Sequence, residues 1–274
     1  MSVRLAYDSR IINQSGRALL FLGALGAHRE MWTPQVDAFT ALGINWIRAD
    51  IRGLGDSEVV PGPYTMGGLA DDVISLLDDL DIATADLVGL SLGGAVAQQL
   101  ALQAPERVAT LTLISTTTRF GDKAAWIERA ANIRAEGTTG LGAGIAGRWF
   151  TVDYGRQNPD VLLRAQRWVT DTVPEGYASC AEALAEWDSS ENIAAISAPT
   201  LVIGGASDPG IPPSTLKSLA NGIGGATLVV IDPGAHLVNV EQPQTVTGLI
   251  AGHIGRLTAT PNRTRICSPT QAGL

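Results

Sequence analysis

The chain predicts an α/β fold, a mostly parallel sheet with helices on both faces, interrupted by a helical insertion. Three observations carry this expectation. Apolar strand-like runs alternate with helix-like runs up to residue 115 and again after residue 198. Between them the strand signal disappears, and four of the six tryptophans (Trp126, Trp149, Trp168 and Trp187) fall in that stretch. A serine stands between glycines where a strand-like run meets a helix-like one, in Gly89-Leu90-Ser91-Leu92-Gly93. At 274 residues and 45% hydrophobic, the chain can bury one large core.

The elements follow in order. Residues 3–12 read as a short hairpin, and 18–22 as an apolar strand buried on both faces. Residues 45–49 form the next strand. Over 66–80, Leu69, Val73, Leu76, Leu77 and Leu80 recur at helical spacing, and Asp71 and Asp72 lie in the first half, towards the positive helix end. A strand over 86–90 and a helix over 92–103 flank Ser91, and 108–115 is again an apolar strand. Strands over 200–204 and 226–231 precede an amphipathic stretch at 241–257. The glycines of 222–225 precede a strand instead of opening a helix, so they read as a turn and not a phosphate cradle. The organisation expected is core (1–116), helical cap (117–197), core (198–257) and a tail (258–274) read as disordered from its Thr, Pro, Arg and Ser content.

G-x-S-x-G at a strand-to-helix junction fits a nucleophile elbow, where small neighbours let a strained serine project its hydroxyl. A buried turn serine with two packing glycines would read the same. A serine nucleophile needs a base to take its proton and an acid to orient that base. The histidines are His28, His236 and His253. His236 follows the 226–231 strand and Asp208 follows the 200–204 strand. Ligands of open parallel sheets bind beyond the carboxyl ends of the strands, where Ser91, Asp208 and His236 all fall. Alone, Asp208 before Pro209 could be a turn former. Asp232 and Asp122 are rival acids. Together, three residue types in the order Ser, Asp, His favour a triad.

A formal charge of −8 with no basic stripe argues against nucleic acid. No metal-ligand spacing and no G-x-G-x-x-G after the first strand suggest a metal or cofactor. Cys180 and Cys267 allow one pairing, and a reduced compartment is the simpler reading. With no leader-like start and no apolar run near 18 residues, neither secretion nor a membrane span is expected, and the cytoplasm is the expected location. The helical insertion could serve as a homo-oligomer surface.

Several segments resemble α/β-hydrolases of the 3-oxoadipate enol-lactone hydrolase type, from about Leu20 to His253. They include Met31-Trp32-Thr33-Pro34-Gln35, Asp50-Ile51-Arg52-Gly53-Leu54-Gly55-Asp56-Ser57, Arg148-Trp149-Phe150-Thr151, Pro174-Glu175-Gly176-Tyr177-Ala178 and Asn239-Val240-Glu241-Gln242-Pro243. The resemblance implies the α/β-hydrolase fold and cofactor-free opening of an enol-lactone in aromatic catabolism. Ser91, Asp208 and His236 match its triad positions, and the N–H groups of Leu25 and Leu92 its oxyanion hole. Two positions depart from the pattern. Gly23-Ala24 replaces the usual His-Gly or Asn-Ser, and Leu54 replaces a frequent His, though neither change removes a backbone donor. An anionic lactone arm calls for an arginine, with Arg134 the first choice and Arg148 the second, and a solvated helix face is the plain alternative for either. Trp126 and Trp149 either pack the cap or line its pocket. Rival readings are a carboxylesterase, a perhydrolase, a carbon–carbon bond hydrolase and a ligand-binding receptor.

Overall fold

The apolar runs become the strands of one sheet in the computed structural model, which describes residues 3–12 and 16–255. Strands β1 (Tyr7–Arg10), β2 (Arg17–Leu22), β3 (Trp46–Ala49), β4 (Thr84–Leu90), β5 (Val108–Ile114), β6 (Thr200–Gly205) and β7 (Thr227–Ile231) lie in the order β1-β3-β2-β4-β5-β6-β7. From β3 to β7 each neighbouring pair is parallel, and β1 runs antiparallel to β3. Residues 3–12 therefore supply one edge strand, with Tyr7 opposite Ala49, and not the hairpin expected from the sequence. Residues 4–6 pair with the 50–58 segment instead of folding back on β1: the Arg4 carbonyl accepts from the Glu58 N–H at 3.1 Å and the Ala6 carbonyl from the Asp50 N–H at 2.9 Å. A largely exposed strand suits an edge.

Helices α1 (Thr33–Ala41), α2 (Met66–Asp79), α3 (Leu92–Gln103), α9 (Pro213–Gly222), α10 (Val238–Glu241) and α11 (Pro243–Gly255) belong to this framework. α2 packs with α3 and α1 with α11, covering the sheet. α2 starts where Thr65 Oγ1 accepts from the Gly68 N–H at 3.1 Å. α1 and α9, which the periodicity did not reveal, each begin with proline in the first turn, where a missing N–H costs no helical bond. In β2 and β4 nearly every side chain is buried, as expected for interior parallel strands.

Helices α4 (Lys123–Glu136), α5 (Gly142–Trp149), α6 (Val152–Gln157), α7 (Pro159–Thr170) and α8 (Pro174–Glu186) are inserted between β5 and β6. Asp122 Oδ1 caps α4 through the Ala124 N–H at 3.0 Å, and Thr151 Oγ1 caps α6 through the Tyr154 N–H at 3.3 Å. α8 seats the insertion on the core through small residues. A Cβ at Gly176 would lie 1.9 Å from the Gly53 carbonyl oxygen. One turn on, the buried, unpaired Cys180 thiol donates to the Arg52 carbonyl at 3.4 Å. Cys267 and the tail at 258–274 lie outside the described residues. Among the described residues no helix is long and apolar enough to cross a membrane.

Candidate active site

Ser91 sits between buried β4 and α3 with φ 57° and ψ −114°, a conformation that costs a non-glycine residue roughly 1–3 kcal/mol. Hydrogen bonds of Ser91 and its neighbours hold the turn there. The Ser91 N–H donates to the Ile114 carbonyl at 2.9 Å, its carbonyl accepts from Thr116 Oγ1 at 2.8 Å, and the Gly93 N–H donates to the Gly23 carbonyl at 2.9 Å. The glycines are sterically required. A Cβ at Gly89 would come 2.2 Å from the Gly93 carbonyl oxygen, and one at Gly93 would come 2.3 Å from that of Leu22. Leu92 opens α3, so its N–H is among those a helix leaves without an internal partner.

Asp208 leaves the end of β6 and His236 the loop after β7, and they meet with Nδ1 2.7 Å from Asp208 Oδ2. Oδ1 of the same carboxylate accepts from the N–H groups of Gly210 at 2.8 Å and Ile211 at 3.1 Å. Asp208 is thus both turn former and histidine partner. Burial pushes this carboxyl up, but His236 and the two backbone donors outweigh it and leave the pKa below the ordinary carboxylate value. A proton on Nδ1 facing Asp208 leaves Nε2 as the acceptor. Neither rival acid takes this place, since Asp232 is exposed and Asp122 caps α4.

Ser91, Leu25, Asp208 and His236 line one cavity of about 660 Å³, and the insertion supplies its opposite wall. Trp126, Arg148 and Trp149 line it, as do Arg129 and Tyr177, which the sequence reading did not single out. Arg129 Nη2 donates to Tyr177 Oη at 2.6 Å, and the guanidinium lies 5.4 Å from the ring centroids of both Trp126 and Tyr177. The available signal was spacing, because Arg129 is three residues after Trp126 and shares its helix face.

Arg134, the first-choice arginine, is not among the residues that line this cavity. It lies five residues beyond Arg129, about 140° around the helix. There its Nε meets Glu175 Oε2 at 2.8 Å and its Nη1 meets Glu182 Oε1 at 2.5 Å, so the guanidinium is spent on holding α4 to α8. Trp168 and Trp187 also lie off this cavity.

Elsewhere among the described residues, ligand-type atoms of His28, Asp50 and Asp56 approach within 4.8 Å of one another. Arg29 Nη1 sits among them, donating to Asp50 Oδ2 at 2.5 Å and Asp56 Oδ2 at 2.8 Å. An arginine thus already supplies the positive charge of this cluster, which braces the loop carrying residues 50–56.

Residues 17–243 match the family model described as the alpha/beta hydrolase fold. 3-Oxoadipate enol-lactonase 2 of Acinetobacter baylyi is 38% identical over 83% of this chain and 84% of its own. The crystal structure of the enol-lactonase from Burkholderia xenovorans LB400 has a TM-score of 0.87 at 34% identity, covering 92% of this chain and 97% of that one. A thermophilic esterase from Thermogutta terrifontis has a TM-score of 0.88 at 30% identity, covering 94% and 95%.

Proposed function

The chain belongs to the alpha/beta hydrolase fold family, and from that premise we propose that it hydrolyses a small enol-lactone of the 3-oxoadipate enol-lactone type, within aromatic-compound catabolism. It is a hydrolase acting on ester or lactone bonds. The observation that carries the finer reading is the Asp208–His236 pair, which shares one cavity with the strained Ser91 beneath helices bearing Arg129 and Arg148. Similarity to two kinds of enol-lactonase chain, one by sequence and one by structure, supports the substrate class.

In this reaction His236 Nε2 takes the Ser91 proton as Oγ attacks the lactone carbonyl. The N–H groups of Leu25 and Leu92 receive the developing oxyanion. Asp208 keeps the imidazole in the required tautomer and stabilises its charged form. Collapse opens the ring, and the departing enol oxygen becomes a ketone, which makes it a good leaving group. His236 then activates water to release the acid from Ser91. The insertion acts as a cap over the cavity, with Arg148 and Arg129 facing the carboxylate of the substrate and Trp126 and Trp149 packing on its ring.

The test compares wild type with Ser91→Ala on 3-oxoadipate enol-lactone, read as loss of ultraviolet absorbance, and on p-nitrophenyl acetate. Rapid, Ser91-dependent lactone opening with weaker esterase activity is the expected result. Ester hydrolysis without lactone opening would instead favour a general esterase, the reading that similarity to the Thermogutta esterase supports. Lactone opening undiminished in Ser91→Ala would overturn the scheme.

A further inference from the structure

Glu241 is an acidic side chain almost wholly withdrawn from water, 6% exposed, close behind the His236 loop. Burying a carboxylate is costly unless donors surround it. Three converge here. The Ala235 N–H donates to Oε2 at 3.0 Å, the Thr151 N–H donates to Oε2 at 3.4 Å, and the Thr151 hydroxyl makes a very short hydrogen bond to Oε1. Ala235 immediately precedes His236. Thr151 belongs to the helical insertion, between α5 and α6.

The residue on the other side of the histidine is tied to the same segment. The Leu237 N–H donates to the Trp149 carbonyl at 2.9 Å, and Tyr154 Oη donates to the Val240 carbonyl at 3.2 Å. The backbone on both flanks of His236 is therefore fastened to residues 149–151 of the insertion, directly at Leu237 and through Glu241 at Ala235. Trp149 also lines the cavity. Core strands bring His236 to Asp208, whereas the insertion holds the loop that carries it.

We propose that Glu241 and Thr151 form a positioning relay that fixes the His236 loop against the helical insertion, so that the imidazole faces Ser91 when the insertion is seated over the cavity. This inference rests on the Ser91–His236 reading given above. Proton transfer needs heavy atoms within roughly 2.6–3.2 Å, and a displacement of about 1 Å can cost on the order of 100-fold. A carboxylate suits the role because both of its oxygens accept and all three partners donate. A glutamine would turn one N–H pair towards a donor.

The experiment measures kcat and KM at 25 °C for wild type, Thr151→Val, Thr151→Ser and Glu241→Gln on the lactone and on p-nitrophenyl acetate. It also measures the rate at which a fluorophosphonate labels Ser91, and Tm for each protein. Thr151→Val keeps the side-chain shape and loses the hydroxyl together with its cap on α6, Glu241→Gln leaves that cap in place, and Thr151→Ser keeps the hydroxyl. The expected result for Thr151→Val and Glu241→Gln is a fall in kcat of about 10-fold, equivalent to about 1.4 kcal/mol. Slower Ser91 labelling and a KM within about twofold of wild type should accompany it, with kcat restored in Thr151→Ser. Should Glu241→Gln fail to fold, the Thr151 pair decides alone. Lowered Tm with kcat within about threefold of wild type would make the contact purely structural and overturn the relay. So would a rise in KM at constant kcat. Wild type inert to both substrates and to the probe would remove the hydrolase reading itself, an outcome distinct from an active wild type indifferent to Thr151→Val.

Discussion

Ser91 and Asp208 are held by hydrogen bonds with neighbouring backbone, and His236 by Asp208 and by the bonds of the residues flanking it, and this sets what single substitutions should do. Asp208→Asn can keep the Gly210 and Ile211 bonds through its amide oxygen while turning an amide N–H₂ towards Nδ1, which favours the wrong imidazole tautomer. With the triad assigned as proposed, kcat should fall on the order of 10³–10⁴-fold with Tm little changed, as read by steady-state kinetics and thermal melts. Arg148→Ala should raise KM for a carboxylate-bearing lactone roughly 10-fold while leaving p-nitrophenyl acetate little affected, because a charge-assisted contact is worth about 1.5–3 kcal/mol. Equal effects on both substrates would assign Arg148 to packing. The three triad candidates were legible in the sequence because each follows a strand, and local patterns reveal strand ends. Arg129 was not, since an arginine on a helix is by default solvated. Its placement at the cavity depends on Trp126 and Tyr177, of which Tyr177 lies 48 residues away in sequence.

Among the elements, α8 governs how the insertion is seated. Gly176→Ala places a methyl carbon 1.9 Å from the Gly53 carbonyl, so α8 must shift. The expected outcome is a destabilisation of about 1–3 kcal/mol by chemical denaturation. The α4–α8 contact adds a pH-dependent part. Arg134, and after it the Gly62 N–H, holds the Glu175 carboxyl at about 2 against an ordinary 4.5. A depressed folded-state pKa contributes stability that is present above the unfolded value and lost as pH falls through the folded one. The Tm difference between wild type and Arg134→Ala should therefore be full at pH 7 and shrink between pH 4.5 and about 2. Glu175 is 36% exposed, so the pair is worth about 1 kcal/mol or less. A difference that stayed constant across this range would assign the effect of Arg134 to packing. The existence of α2, α3 and the insertion could be read from periodicity, whereas the face that α4 turns to the cavity could not, because its apolar residues do not form one clear stripe.

Across the whole molecule, the centre of the sheet is buried core, and residues beyond the carboxyl ends of its strands line the cavity. Leu87 in β4 is fully buried between β2 and β5. Leu87→Ala should cost about 2–5 kcal/mol and lower Tm, while kcat/KM at 25 °C stays near wild type, because the cavity lies at the strand ends. The sequence by itself determined the alternation of strands and helices, the place of the insertion, the small residues Gly89 and Gly93 around Ser91, and the candidate acid and base. All of these are written in local periodicity and in residue types at element ends. Only the tertiary structure decided that β1 pairs with β3 rather than folding back as a hairpin, that Arg134 is bound to Glu175 and Glu182 while Arg129 meets the cavity, and that Glu241 links the insertion to the His236 loop. Those outcomes depend on which distant partner best satisfies a surface's charge or hydrogen bonds, and one-dimensional spacing carries no record of that competition.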